Sequence, residues 1–165
     1  MQVPPLEPYR AAVAPEWIDY NGHMNVAYYV LAFDRATDHL FDHLGIGEVY
    51  RRASNCSIFA LEAHVCYERE LRAGADFAIT TRLIDADNKR LHIFHCMSDD
   101  ATSETAATIE LMGLHVDLGG PRSAPFPAQA FARIKALLAK HRRLPPPAQL
   151  GRRIGMRRPR ARKRS

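Results

Sequence analysis

The sequence predicts an α+β domain in which one long helix is wrapped by antiparallel strands. Three observations predict it: a single 19-residue stretch with helical spacing of apolar residues, four consecutive strand-like runs after it, and turn chemistry rather than crossover helices between those runs. A helix with so wide an apolar face has to be covered, and a curved sheet is the surface the rest of the chain can supply.

The elements follow in order. The Pro-rich start leads into Tyr9 to Val13, short enough for an edge strand, and then into Ala14-Pro15-Glu16-Trp17-Ile18. From Val26 to Leu44, apolar residues recur at 26, 29, 30, 33, 36, 40 and 44, which predicts one broad buried helical face. Asn25 is suited to cap its start and Gly45 to stop it. After Gly45-Ile46-Gly47 a polar link precedes strand-like runs at 57–68, 76–85, 90–98 and 105–117. Ala86-Asp87-Asn88-Lys89 joins the second and third as a hairpin, since Asp and Asn bond to their own backbone in turns. Helical spacing returns from Ala128 to Lys140, with Phe131, Ile134, Leu137 and Leu138 on one side. Pro145-Pro146-Pro147 is expected to end ordered structure, giving a domain over 1–144 and a Pro-rich, then basic, disordered tail over 145–165.

Composition excludes several classes of function. No run approaches the ~20 apolar residues of a membrane span, and the first residues lack the basic start and apolar stretch of a secretory signal, so a cytoplasmic protein is expected. Cys56, Cys66 and Cys96 are too far apart for a zinc site and odd in number, and are read as buried small hydrophobes. His39 and His43 share a helix face with Asp38 and Asp42 and read as a solvated stripe, so no metal is expected. The net charge of +5 is misleading, because eight Lys or Arg lie in residues 151–165; without them it becomes −3. With no aromatic side chain interleaved among those charges, nucleic acid is not the expected partner.

Chemistry concentrates just before the long helix. Asp19, Asn21, His23 and Asn25 fall at alternate positions around Gly22. A carboxylate there can act as a nucleophile or as a general base toward water, while an amide and an imidazole orient water or a carbonyl. The free N–H groups of the following helix start can stabilise charge developing on that carbonyl oxygen.

The segment Asp19-Tyr20-Asn21-Gly22-His23-Met24-Asn25, followed by Tyr28-Tyr29, resembles the helix-start segment of hotdog thioesterases of the 4-hydroxybenzoyl-CoA thioesterase superfamily. Tyr67 to Asp76 and Asn88-Lys89-Arg90-Leu91 are similar to later turns of that family. Leu61-Glu62-Ala63-His64, Lys89-Arg90-Leu91-His92 and Leu114-His115-Val116-Asp117 resemble its betainyl-CoA thioesterase branch. The resemblance covers roughly Tyr9 to Asp117. It implies a hotdog fold, hydrolysis of an acyl-CoA without metal or other cofactor, and assembly as a dimer or tetramer with sites built between subunits. Asp19 then takes the place of the catalytic carboxylate, with Asn21 and His23 beside it. Position 26 departs from the family, holding Val where many relatives carry a second Asn.

Further binding residues are expected from chemistry. Asn25, Trp17 and Tyr28 adjoin the segment, and with Tyr20 the two aromatics could wall a quaternary ammonium. Glu62 and Glu110 are carboxylates inside strand runs, where an unpaired charge is costly if buried; Glu62 could assist Asp19 or attract a cationic acyl group. Lys89 and Arg90 offer charge to coenzyme A phosphates. A hotdog hydratase or dehydratase and a non-catalytic binding module are the rival readings.

Overall fold

The computed structural model describes residues 6–120 and 122–156. The helical spacing folds as α1 (Val26–Leu44), capped by the Asn25 side chain, whose Oδ1 accepts the Ala27 N–H at 3.0 Å. Gly45 ends it with φ +73°, a left-handed conformation that glycine adopts without penalty. Its inner face buries Tyr29, Ala32, Phe33, Ala36, Thr37, Leu40 and Leu44. Val26 and Val30, expected on that face, are instead 58% and 43% exposed, because the sheet of one chain does not reach them.

The sheet is built from β1 (Tyr9–Ala12), β2 (Cys56–Tyr67), β3 (Asp76–Ala86), β4 (Arg90–Asp99), β5 (Thr105–Asp117) and a two-residue β6 (Arg122–Ser123). All neighbours are antiparallel in the order β1-β3-β4-β5-β2, with β6 on β5, so β1 and β2 are the edges. Alternate residues of the inner strands, among them Phe77, Ile79, Leu83, Leu91, Ile93, Met97, Ile109 and Leu111, join the α1 face in one core. The β3–β4 hairpin forms where Asp87 was expected to turn it. Asp87 Oδ1 accepts the N–H groups of Lys89 and Arg90 at 2.9 and 2.7 Å, and the Arg90 guanidinium on Oδ2 holds the carboxyl below the usual carboxylate range.

Three short elements lie outside the sequence expectation: a 3-10 turn over Pro15–Trp17, β6, and a seven-residue helix α2 (Glu48–Ser54) in the supposed polar link. None of the α2 residues is buried, so no apolar period marks it. It is held through Tyr50, whose hydroxyl meets Nε2 of the buried His115 at 2.8 Å. The last helix, α3 (Ala128–His141), packs on β3 and α1. His141 Nδ1 accepts the Leu83 N–H at 2.9 Å, satisfying the β3 edge past the point where β1 stops.

Ordered contacts also continue beyond Pro145, contrary to the expected disordered tail. Arg82 reaches back to the carbonyls of His141, Leu144 and Pro145, the Gly151 N–H donates to Glu110 Oε2 at 2.7 Å, and Arg152 pairs with Glu68 at 3.1 Å. The Arg82 guanidinium as donor and the Glu110 and Glu68 carboxylates as acceptors hold this strap; residues 157–165 lie outside the described residues. The three cysteines are half-buried rather than buried.

His95 sits in the core with both ring nitrogens occupied. Thr37 donates to the Phe33 carbonyl at 2.9 Å, so toward His95 Nε2, 3.0 Å away, it accepts; Nδ1 in turn accepts from Thr81 at 2.8 Å. The ring is a neutral Nε2–H tautomer, and burial pushes its pKa from 6.5 down to about 3. The unfolded chain protonates this histidine below its ordinary value and the folded chain does not. Its contribution is therefore complete above pH 6.5 and is lost as pH falls from there toward 3, by about 1.4 kcal/mol per pH unit. Stability measured by denaturant unfolding against pH should fall less steeply over this range in His95→Gln than in the wild type, His43 and His141, whose pKa values burial also lowers, contributing in both.

Candidate active site

The Asp19 segment is a small closed loop rather than an extended lead-in to α1. Ile18 and Met24 form an antiparallel bridge, Asp19 N–H donates to the His23 carbonyl and Gly22 N–H to the Asp19 carbonyl, each at 3.0 Å. Gly22 turns the chain with φ +80°. The Asp19 carboxylate bends over this turn, its Oδ1 accepting the Asn21 N–H at 2.8 Å. One carboxylate oxygen is thereby fixed while the other has no partner among the described residues.

Two hydrogen bonds and one longer polar contact seat the loop. The Asn25 N–H donates to the Trp17 carbonyl at 2.9 Å, the Met24 N–H to the Leu71 carbonyl at 2.8 Å, and His23 Nε2 lies 3.6 Å from Glu70 Oε1. At the start of α1, Ala27 N–H goes to the Asn25 cap and Tyr28 N–H to the Asn25 carbonyl. The Val26 N–H has no acceptor among the described residues. A carboxylate, an imidazole, an amide and a free helix-start N–H thus lie within one eight-residue stretch, with the parts needed to attack a carbonyl and to hold its oxygen.

The other expected residues divide. Asn25 and Tyr28 adjoin the loop, and so does Trp17, which is 7% exposed. Trp17 and Tyr28 stack on each other with centroids 5.4 Å apart, and the Arg35 guanidinium lies 5.6 Å from the Trp17 ring centroid. Tyr20 points away, 97% exposed. The three do not form an open aromatic cage in one chain, because two are spent on each other and on Arg35. Glu62 follows a bulge in β2 opposite Met112 and borders a shallow pocket of about 240 Å³ with His64, His92, Glu110 and Arg152. No hydrogen bond or ion pair joins it to Asp19 among the described residues. Glu110 is paired, with His92 Nε2 at 2.8 Å. Lys89 and Arg90 stand at the hairpin end of β3, whereas the Asp19 loop is tied to the opposite end through Leu71; ten residue steps of strand separate the two ends, roughly 30 Å. Glu70 and Leu71 are site residues that sequence reasoning missed, since Glu70 sits in the charged run Glu68-Arg69-Glu70 with nothing to mark it.

Comparison with known proteins bears on the family and the fold. The family described as the thioesterase-like superfamily matches residues 13–138. A betainyl-CoA thioesterase of Pseudomonas aeruginosa is 45% identical over 151 residues, covering 92% of this chain and 95% of that protein. A Staphylococcus aureus protein solved in complex with CoA superposes with a TM-score of 0.88 at 28% identity, over 95% of this chain and 99% of that one. A Pseudomonas putida KT2440 protein superposes with a TM-score of 0.81 at 37% identity, over 94% and 99%.

Proposed function

Since the chain belongs to the thioesterase-like superfamily and has its hotdog fold, we propose from that premise how its own residues carry out the reaction. The enzyme is a thioester hydrolase: it cleaves an acyl-CoA with water, breaking the C–S bond and releasing a carboxylic acid and free coenzyme A. The observation that carries the assignment of residues is the Asp19 carboxylate, fixed by one oxygen on the Asn21 N–H and free at the other, immediately before the unpaired Val26 N–H of α1.

In this reading the free Asp19 oxygen attacks the thioester carbon or takes a proton from the attacking water. The Val26 N–H, at the positive end of the α1 dipole, donates to the carbonyl oxygen as it gains charge. Asn21 and His23 orient the water and the carboxylate. No group in this scheme requires a metal or a redox cofactor.

The acyl group proposed first is betainyl, the group in the name of the Pseudomonas aeruginosa relative, with fatty acyl groups as the other class to test. Thiol release from betainyl-CoA and from short, medium, long and aromatic acyl-CoAs decides between them. A preference of at least about tenfold in kcat/KM for betainyl-CoA supports the first; a preference for uncharged chains removes it.

The assembly proposed is a dimer through β2. This edge strand leaves one row of backbone groups unpaired over twelve residues and exposes Phe59, Leu61 and Tyr67, while α1 exposes Val26, Val30 and Leu31. Antiparallel pairing of β2 with its own copy about a two-fold axis brings the hairpin end of one protomer to the Asp19 end of the other. Lys89 and Arg90 of the partner then come within range of a nucleotide whose thioester lies at Asp19. No described helix is long and apolar enough to cross a membrane, and the cytoplasm is the compartment we propose.

A further inference from the structure

Tyr29 is 3% exposed on the inner face of α1, where an aromatic ring alone would be unremarked as core. Its ring meets Tyr67 edge-on at 5.4 Å. Its hydroxyl does something a core ring does not need to do: it accepts the Leu71 N–H at 3.0 Å and donates to the Arg69 carbonyl at 3.3 Å. Both are main-chain groups of the segment leaving β2. The same segment holds the Asp19 loop, through the Leu71 carbonyl on the Met24 N–H at 2.8 Å and through Glu70 beside His23.

The connections close a ring. From Val26 the helix runs one turn to Tyr29, the hydroxyl crosses to Leu71, Leu71 crosses to Met24, and two residues along the chain return to Val26. The helix-start N–H and the loop that bears Asp19 are therefore held in one frame by a single phenol. Leu71 is 1% exposed, so without that phenol its N–H would be buried with no acceptor and the segment would have to shift to satisfy it. We propose that Tyr29 is a positioning residue for thioester hydrolysis, setting the Asp19 carboxylate against the Val26 N–H through the main chain of residues 69–71. The inference rests on the thioesterase reading above.

Tyr29→Phe keeps the ring and removes the bond. Because Tyr29 is 3% exposed and its hydroxyl acts on main-chain groups, kcat should fall by about 10- to 100-fold while KM for the best acyl-CoA stays within about twofold, and the Met24 amide should exchange hydrogen faster. Thr37→Val is the control: it removes a buried hydroxyl of the same helix that bonds to Phe33 and His95, and it should lose stability without losing kcat. Wild-type kcat in Tyr29→Phe, or an equal kcat loss in Thr37→Val at equal loss of stability, overturns the proposal. Should the wild type release no thiol from any acyl-CoA, the reaction assigned above fails. The Met24 exchange rate still decides the link in that case, faster exchange supporting it and an unchanged rate overturning it.

Discussion

Asp19→Asn is expected to lower kcat for acyl-CoA hydrolysis by about a thousandfold or more, with KM changed far less. Asparagine is the informative replacement. Its side-chain carbonyl can still accept the Asn21 N–H that Asp19 Oδ1 accepts at 2.8 Å, so the turn that shapes the loop is kept while the negative charge and the second, free oxygen are removed. Neither attack on a thioester carbon nor proton abstraction from water survives that change. The helix-start N–H and the substrate contacts do survive it, which is why binding should persist. Thiol release followed against time for the wild type and the variant, with thermal unfolding as the check on folding, measures the effect. Activity within tenfold of wild type would move the chemistry to another group, His23 and its neighbour Glu70 being nearest in line. In the wild type, rapid quench of a single turnover separates the two roles of the carboxylate: acyl-enzyme carried on Asp19 signals direct attack, and product formed with no acylated protein signals a general base.

What could be read from the sequence was whatever is encoded locally. The α1 face, the four long strands and the Asp87 turn each carry their own pattern within a dozen or so residues, and each appears in the fold within a residue or two of the expected bounds. The elements that escaped have no such pattern. In α2 no residue is buried, β6 is two residues long, and the strap over 145–152 is held by Glu110, Glu68 and Arg82, which no property of the prolines announces. The same division runs through the site. Asp19, Asn21, His23 and Asn25 were legible because they share one short segment with a helix start. Tyr29 and Glu70 were not, since the bonds that tie them together span some forty residues of chain and a tyrosine on a helical face reads as packing. The chemistry of Glu62, Lys89 and Arg90 says nothing of their distance to Asp19; that distance depends on strand length and, in the proposed assembly, on a second chain.

The second large effect concerns that second chain. Phe59→Lys combined with Leu61→Lys is expected to convert the assembly to monomers and to reduce kcat/KM by at least about a hundredfold while leaving the protomer folded. Within one chain both side chains are largely free, 47% and 57% exposed, so their replacement removes little that stabilises the protomer. In a strand paired with its own copy, residues near the middle meet their own counterparts. Leu61 is the sixth of the twelve residues of β2, so lysine there sets like charges beside each other at the two-fold axis, and lysine at 59 adds to the repulsion. Sedimentation velocity reports the assembly, circular dichroism the fold, and thiol release the site. The activity loss follows from the geometry of a single chain, in which the basic hairpin and the Asp19 loop lie at opposite ends of the sheet. A monomeric variant that keeps full activity would mean that each chain holds a whole site and that Lys89 and Arg90 take no part. A wild type that sediments as a monomer would mean that β2 edges do not pair, and the exposed row of Phe59, Leu61 and Tyr67 would then have to be covered by something other than a copy of this chain.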